Sequence, residues 1–259
     1  MGKEYLERLF SLEGKVALIT GGYRGIGLAI AEGYAEAGAS LAITARNLAG
    51  CRSAAESLQD AYAIKAVGKA MDVRDSKTVD RVIQETADEF GRLDIVVNCA
   101  GISGSEKHVI DMTDEEIDEV ISVDFRGTFM VSRAAARIMV KQKSGHIINV
   151  SSVYARIAAS NISGYCASKA GVVQLTRVMA IELRRDNIQV NAICPGYFLT
   201  DFNRDFFQSE PGKTLIKKMI PLNRLGQVDE LKPLAIYLAT CPPYMTGSEV
   251  YIDGGHTVV

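Results

Sequence analysis

The stretch Val16-Ala-Leu-Ile-Thr-Gly-Gly-Tyr-Arg-Gly-Ile-Gly27 joins a short apolar run to a glycine-rich turn, which leads into a helical pattern over residues 28–37. The apolar run lacks the alternation of a half-exposed strand, so it predicts a strand covered on both faces. Glycines let the turn tighten, let a phosphate approach backbone N–H groups and let the helix pack closely. At the first strand–helix junction of a parallel sheet, such a turn is typical of dinucleotide binding.

Short β-branched runs alternate with longer amphipathic stretches along the whole chain. The predicted strands cover residues 16–20, 40–44, 64–70, 93–98, 146–150, 188–194 and 249–252. The predicted helices cover residues 25–38, 48–60, 76–90, 113–140, 164–185 and 229–240. Because this alternation favours right-handed crossovers, we predict a doubly wound, three-layer α/β fold with a seven-stranded parallel sheet.

No linker or shift in composition divides the 259 residues, so we interpret residues 1–259 as a single domain. One segment, residues 196–225, departs from the regular alternation and is rich in Phe, Asp, Asn and Lys. It lies between the sixth predicted strand and the last predicted helix. Long excursions of this kind in compact α/β domains are usually lids or binding loops, so we expect a substrate loop there.

The composition argues against several classes of protein. A formal net charge of -2 gives no electrostatic footprint for nucleic acid, and no basic run suits an anionic membrane. No segment approaches the ~20 apolar residues of a membrane span, and the charged residues 1–10 do not resemble a signal peptide. The five cysteines and three histidines are scattered, so neither a disulfide framework nor a metal site is expected. We therefore expect a cytoplasmic protein with reduced thiols.

The end of the second predicted strand indicates which dinucleotide binds. NAD sites usually carry an acid about twenty residues beyond the glycines. Here no Asp or Glu occurs between Glu36 and Glu56, and Arg46 follows the predicted strand closely. Arg46 is suited to a 2′-phosphate, and Arg24 in the glycine turn adds a second positive charge. NADP(H) is therefore favoured over NAD(H).

Further candidate cofactor contacts follow the carboxyl ends of other strands, where open α/β sheets bind ligands. Asp72 is suited to the adenine amino group, and the alternative is that it caps the helix that begins near residue 76. Thr200 is suited to the nicotinamide amide. The full set of predicted cofactor contacts is Gly21, Tyr23, Arg24, Gly25, Ile26, Gly27, Arg46, Asn47, Asp72, Val73, Asn98, Ala100, Gly101, Tyr165, Lys169, Pro195, Gly196, Phe198 and Thr200.

Tyr165 and Lys169 stand four residues apart in a predicted helix, with Ser152 upstream. Four residues are just over one helical turn, so the phenol and the ammonium share a face. A phenol is a poor proton donor or acceptor near neutral pH, and a fixed positive charge nearby favours its ionised form. The pair therefore has the chemistry of a general acid and base.

Together these residues resemble the short-chain dehydrogenase/reductase family, in its single-domain Rossmann branch, over residues 12–255. The turn at 20–27 is similar to the family's T-G-x-x-x-G-x-G, and residues 98–101 are similar to its N-N-A-G. The resemblance implies that Tyr165 is the catalytic acid and base and that Lys169 favours the phenolate and holds the nicotinamide ribose. It also implies that Ser152 polarises the substrate oxygen, and that hydride passes between the nicotinamide and a carbonyl or alcohol carbon.

Two positions depart from the family pattern. Cys99 replaces the second asparagine of N-N-A-G, with little expected consequence. Asp124 replaces the asparagine of V-N-x-x-G, whose backbone carbonyl holds a water that reaches the lysine in the family. We include Asp124 among the catalytic residues, because its backbone carbonyl survives the substitution and its charge favours the lysine ammonium.

Of these predictions, the identity of the substrate is the least determined. The stretches around 9–20 and 195–203 resemble members that act on sugar acids, notably the gluconate 5-dehydrogenase group, and we expect Ser152, Tyr165, Arg156 and Tyr197 to contact a small carbonyl or alcohol substrate. One alternative is a 3-oxoacyl-[acyl-carrier-protein] reductase, with Arg133, Arg137 and Lys141 as a docking patch. Another is a nucleotide-sensing or scaffold protein. The resemblance also implies a homotetramer joined through the helices near 113–140 and 164–185 and through C-terminal segments.

Overall fold

Seven parallel strands form one sheet, which confirms the predicted seven-stranded sheet. The computed structural model describes Tyr5, residues 9–201 and residues 203–258; most of the N-terminal segment 1–10 lies outside the described residues. The strands are β1 Val16–Thr20, β2 Ser40–Ala45, β3 Ala66–Ala70, β4 Ile95–Asn98, β5 Gly145–Val150, β6 Ile188–Pro195 and β9 Glu249–Ile252. Their order across the sheet is β3-β2-β1-β4-β5-β6-β9.

Helices cover both faces of the sheet. They are α1 Gly25–Glu36, α2 Leu48–Tyr62, α3 Ser76–Phe90, α4 Asp114–Val120, α5 Thr128–Gln142, α6 Ser163–Leu183, α7 Arg204–Gln208, α8 Glu210–Met219 and α9 Lys232–Thr240. One buried core joins α1, α2 and α9 to the sheet, and the other joins α3, α5 and α6 to its opposite face. The order of strands and the two cores confirm the doubly wound, three-layer, single-domain fold.

Local signals in the sequence explain where α2 and α3 begin. The side chain of Asn47 caps α2 by accepting a 3.1 Å hydrogen bond from the Gly50 N–H. Asp75 caps α3 in the same way, at 3.0 Å from the Lys77 N–H. Capping by Asp75 shows that the alternative assignment of Asp72 as the cap is wrong, because an N-cap must directly precede the first helical residue.

The predicted helix over 113–140 is interrupted by a π-helical segment, Ile121–Gly127, between α4 and α5. The wider turn carries Asp124 into the interior, where its side chain is fully buried, and the Thr128 hydroxyl donates 2.7 Å to the Asp124 carbonyl. A Cβ on Gly127 would lie 2.7 Å from Val73 Cγ2, so a larger residue there would force the Val73 side chain to shift. Period-based prediction misses such a segment because seven residues are too few to separate a π-helical period from that of an α-helix.

The segment 196–225 contains two short helices and half of a ribbon that the sequence did not predict. Strand β7, Phe198–Leu199, pairs in parallel with β8, Gly226–Gln227. Helices α7 and α8 lie between the two strands, and Phe202 lies outside the described residues. A small separate core of Phe207, Ile220 and Leu225 holds this segment together, with Tyr197 packed against it.

A chain of buried polar side chains crosses the middle of the molecule. Asn98 on β4 donates through Nδ2 to Ser132 Oγ on α5 and to Asn149 Oδ1 on β5, each at 2.8 Å. Asn149 in turn donates 2.8 Å to Thr176 Oγ1 on α6. These contacts join two strands to two helices beneath the carboxyl edge of the sheet.

Within the described part of the chain, no helix is long and apolar enough to cross a membrane. The same residues contain no cluster of three or more His, Cys, Asp or Glu side chains arranged to hold a metal ion.

Candidate active site

The glycine turn contacts the ends of two other strands. Gly21 adopts a φ of +67°, in the left-handed region, and a Cβ there would lie 3.1 Å from the Ala100 Cα after β4. A Cβ on Gly25 would meet Thr200 Cγ2 at 3.5 Å, after β6. A Cβ on Gly27 would overlap the carbonyl oxygen of Gly21. The turn is therefore a close backbone cradle at the amino end of α1, as phosphate binding requires.

Thr20 fixes the cradle against β4. Its hydroxyl oxygen accepts hydrogen bonds from the N–H groups of Cys99 and Ala100, both at 3.0 Å. The Gly21 N–H donates 2.7 Å to the Thr44 carbonyl at the end of β2. Three strand ends are thus joined at one point. The amide group of Asn98, by contrast, donates only into the protein interior.

Of the charged residues predicted for the adenosine end, Arg46 and Asp72 follow β2 and β3, and Arg24 lies in the glycine turn after β1. Arg46 is exposed directly after β2, and Arg24 is exposed with its guanidinium carbon 5.4 Å from the Tyr23 ring centroid. Asp72 forms an ion pair with Arg74 at 2.7 Å, and this hydrogen bonding holds the pKa of Asp72 below its usual range. The positive charge of Arg46 acts on Asp72 in the same direction.

The Ser152, Tyr165 and Lys169 side chains lie at the carboxyl end of β5 and on the first turns of α6. Ser152 begins a 3-10 turn and accepts a 3.2 Å hydrogen bond from the Tyr154 N–H. Lys169 Nζ lies 5.4 Å from the Tyr165 ring centroid and donates 3.3 Å to the Val150 carbonyl. The predicted pair therefore shares one face of α6, and the lysine is 6% exposed.

Asp124 makes direct contact with this lysine. Its Oδ2 lies 3.1 Å from Lys169 Nζ, and its Oδ1 accepts 2.8 Å from the Ile102 N–H. Burial opposes the charge on Lys169, but the Asp124 carboxylate, together with Tyr165 and Cys99, outweighs burial, so the pKa of Lys169 is raised. A Cβ on Gly101 would lie 3.2 Å from Asp124 Oδ2 and 3.3 Å from Lys169 Nζ, so the loop after β4 closes over the pair.

The remaining predicted cofactor residues after β6 serve mainly to shape the backbone. The Gly196 N–H donates 2.9 Å to the Ile252 carbonyl, and Pro195 ends β6. Phe198 is 5% exposed and packs in the core with α1 and α9. The Thr200 N–H donates a 2.9 Å hydrogen bond to the side-chain oxygen of Asn203, which holds Thr200 in place.

The predicted substrate residues Arg156 and Tyr197 lie in different surroundings. The Arg156 guanidinium carbon is 5.4 Å from the ring centroid of Tyr251 on β9. The Tyr197 hydroxyl oxygen lies 2.5 Å from that of Tyr154, whose ring centroid is 6.4 Å from that of Tyr165. Sequence reasoning missed Tyr154, although its position two residues after Ser152 offered a signal.

A doubly wound sheet with this glycine cradle, and with a serine, tyrosine and lysine at its carboxyl edge, defines a dinucleotide-dependent oxidoreductase. A family model described as enoyl-(acyl carrier protein) reductase matches residues 21–257. The chain belongs to the short-chain dehydrogenase/reductase family of oxidoreductases, which act on CH–OH groups.

Three relatives show the range of activities among similar proteins. The 3-oxoacyl-[acyl-carrier-protein] reductase of Aquifex aeolicus (strain VF5) is 35% identical over 245 residues, 94% of this chain and 98% of the relative. The 5-keto-D-gluconate 5-reductase of Escherichia coli (strain K12) is 35% identical over 251 residues, 96% of this chain and 98% of the relative. The crystal structure of a gluconate 5-dehydrogenase from Burkholderia cenocepacia J2315 in complex with NADP and tartrate has a TM-score of 0.93 and 36% identity, covering 98% of this chain and 99% of that one.

Proposed function

We propose that this protein is an NADP(H)-dependent oxidoreductase that interconverts a carbonyl group and a secondary alcohol on a sugar acid, polyol or related small ketone. The observation that carries the proposal is the buried Asp124–Lys169 ion pair beside Tyr165, at the carboxyl edge of the sheet. A buried charge network next to a phenol is costly to maintain without a chemical role. The same network argues against a nucleotide sensor or scaffold, which needs no proton relay.

The glycine cradle fits a dinucleotide, because a Cβ at Gly27 would overlap the Gly21 carbonyl oxygen, so that only glycine lets the turn pack this closely on the amino end of α1. Gly21, Gly25 and Gly27 would hold the phosphates, and Arg46 and Arg24 would hold the 2′-phosphate. Neither arginine forms an ion pair within the described residues. When bound, the nicotinamide supplies or accepts the hydride.

The chain's own side chains would manage the proton. Ser152 Oγ and Tyr165 Oη donate hydrogen bonds to the carbonyl oxygen of the substrate and so polarise it. Tyr165 then gives its proton to that oxygen as the alcohol forms, and the ammonium of Lys169 stabilises the phenolate that remains. Oxidation runs through the same groups in reverse.

The substrate class rests on similarity to gluconate-type enzymes, one of which binds NADP and tartrate in its crystal structure. The second candidate is reduction of 3-oxoacyl thioesters, favoured by the 35% identity to the Aquifex aeolicus reductase. Its docking patch would be Arg133, Arg137 and Lys141, all exposed on α5. Arg137 is already paired with Asp80 at 3.4 Å, and Arg133 lies 5.9 Å from the Phe129 ring centroid, which weakens this candidate.

The test is a screen of NADPH oxidation with 5-keto-D-gluconate, other keto sugars, diketones and an acetoacetyl thioester, and of NADP reduction with sugar acids and polyols. We expect turnover with hydroxylated ketones and much less with the thioester. A preference for the thioester would establish the second candidate. Absence of turnover with every compound, in protein that binds NADPH, would favour the sensor instead.

We further propose a homotetramer, which rests on the family resemblance, and a cytoplasmic location, which rests on the sequence. The five cysteines are free thiols in the structure. Sedimentation of the purified protein tests the first proposal, and imaging of a fluorescent fusion in the source cell tests the second.

A further inference from the structure

Tyr154, Tyr197 and His256 form a cluster of rings beside Tyr165, which we call the aromatic wall. The Tyr154 ring meets the Tyr165 ring edge to face, with centroids 6.4 Å apart. The rings of Tyr154 and His256 also meet edge to face, with centroids 6.1 Å apart, and the Tyr197 ring stacks on the His256 ring, with centroids 5.7 Å apart. The three residues come from the turn after β5, the segment after β6 and the turn after β9. The wall therefore borders the position where the substrate oxygen meets Tyr165.

The two hydroxyl groups of the aromatic wall can still form hydrogen bonds to a ligand. The hydroxyl oxygens of Tyr154 and Tyr197 lie 2.5 Å apart, so one of them donates to the other. Two phenols carry two O–H groups, and one of these remains free to donate. Both oxygens also keep lone pairs. The pair can therefore donate one hydrogen bond and accept another, which is the pattern that an alcohol group completes.

Both phenols remain protonated over the working range of pH. Burial raises the pKa of Tyr154, and the hydrogen bond to Tyr197 raises it further. Burial also raises the pKa of Tyr197, and the negative charge of Glu106 acts in the same direction. The two hydroxyls are thus fixed hydrogen-bonding groups rather than proton-transfer groups, in contrast to the role proposed for Tyr165.

We propose that the paired hydroxyls of Tyr154 and Tyr197 bind an alcohol group of the substrate close to its reacting carbon, and so select hydroxylated ketones over plain alkyl or acyl ketones. The inference rests on the proposed function, since it needs a substrate oxygen at Tyr165. An alkyl chain placed against the pair would bury a donor without a partner, which is unfavourable. Sites that hydrogen-bond a substrate hydroxyl reject analogues that lack it.

His256 is the positioning residue of this site. Its side chain is 3% exposed, and neither ring nitrogen has a hydrogen-bond partner within the described residues. It therefore acts through the packing of its ring. The Tyr197 ring lies between the His256 and Phe207 rings, with centroid separations of 5.7 Å and 5.4 Å. These two contacts fix the direction of the Tyr197 hydroxyl.

The experiment compares erythrulose, 1-hydroxybutan-2-one and butan-2-one, which share a four-carbon chain and lose hydroxyl groups in turn. We expect the native protein to prefer the hydroxylated ketones over butan-2-one by about 10- to 100-fold in kcat/KM. Tyr154→Phe and Tyr197→Phe should each reduce this ratio to within about threefold of unity, chiefly by raising KM for the hydroxylated ketones. Tyr244→Phe, at a fully exposed tyrosine, is the matched control and should leave the ratio unchanged.

The role of His256 is separated from a general structural role by two variants. His256→Phe retains a ring and should keep the preference, whereas His256→Ala should lose it while thermal unfolding confirms that the protein is folded. A ratio that stays at the native value in both tyrosine variants overturns the inference and leaves the proposed function intact. Failure of the native protein to turn over any ketone overturns both.

Discussion

At the scale of single residues, Asp124 most alters what the family pattern implies. An asparagine at 124 would present a carboxamide to Lys169, whereas this chain presents a carboxylate at 3.1 Å. The negative charge keeps the lysine protonated despite its burial. It also offsets the field that the ammonium exerts on Tyr165, so the proton relay of this protein should respond to pH differently from a relay without the acid.

Asp124→Asn should move the pH profile of alcohol oxidation toward lower pH by about one unit. The raised pKa of Lys169 falls when the carboxylate is removed, because burial is then opposed only by Tyr165 and Cys99. The ammonium is therefore lost at lower pH, and the alkaline limb shifts with it. The measurement is kcat against pH for both proteins. Asp60→Asn, at an exposed residue of α2, is the control. Superimposable profiles for the native protein and Asp124→Asn would contradict the prediction.

Arg46 should decide the preference between the two dinucleotides. Arg46→Asp should lower the ratio of kcat/KM for NADPH to that for NADH by about 10- to 100-fold, since a charge-assisted contact to the 2′-phosphate is replaced by repulsion. Steady-state kinetics with both cofactors provide the measurement. Arg52→Asp, at an exposed residue of α2, controls for the change in net charge. An equal loss with NADPH and NADH would show that Arg46 does not read the 2′-phosphate.

Which residues the sequence could predict depends on how their contacts arise. Tyr165 and Lys169 are one helical turn apart, so their proximity follows from local geometry. The pairing of Asp124 with Lys169 was anticipated only through the family resemblance, because a π-helical turn places the carboxylate. His256 gave no signal, since its ring contacts depend on where the end of β9 meets two other segments.

At the scale of elements, buried strands were predicted more accurately than anything else. All seven predicted strands of the main sheet occur within two residues of their predicted bounds. The ribbon of β7 and β8 was missed because two-residue strands show no periodicity. The apolar periodicity predicted a continuous helix over 113–140, because seven residues are too few to separate a π-helical period from that of an α-helix, whereas the family resemblance implied a kink at position 124. Sequence periodicity therefore does not predict irregular elements, and in this protein those elements lie beside the candidate active site.

The segment with α7 and α8 should depend on one buried aromatic residue. Phe207→Ala should lower the free energy of unfolding by about 3 kcal/mol, or unfold the segment locally, because Phe207 fills the small core and contacts Tyr197. KM for the substrate should rise more than kcat falls. Phe206→Ala is a matched control on the same helix, since Phe206 is 50% exposed, and it should change stability by less than about 0.5 kcal/mol. Thermal unfolding, limited proteolysis and steady-state kinetics measure these effects. Equal effects of the two variants would contradict the role of Phe207.

At the scale of the whole molecule, the structure divides the apolar face of α6 between core and surface. Val172, Val173, Leu175 and Met179 are buried within the chain, whereas Val178 is exposed. Ile181 on α6 and Phe129 on α5 are exposed as well. The apolar pattern alone did not make this division, because core and interface positions have the same composition. The exposed side chains mark the face through which the proposed tetramer would form.

Ile181→Lys should convert the tetramer into smaller species, because a lysine at a buried apolar contact leaves a charge without a partner. Sedimentation should give about four times the 28.0 kDa chain mass for the native protein and a lower mass for the variant. Gln84→Lys on the exposed face of α3 adds the same charge elsewhere and should remain tetrameric. A native protein that sediments as a monomer, or an Ile181→Lys variant that remains a tetramer, would contradict this assignment of the interface.

The buried polar chain through Asn98, Ser132, Asn149 and Thr176 has a consequence for how the molecule folds. If β4 slipped by one residue against β5, the two amides would no longer face each other, and several polar groups would be sealed in an apolar interior without partners. A collapsed chain with a shifted sheet therefore leaves more buried polar groups without partners than the native alignment, in which Asn98 Oδ1 alone among the atoms of these four side chains lacks a partner within the described residues. The four side chains therefore contribute modestly to the stability of the native state. Their larger effect is to disfavour compact states in which the strands are misaligned.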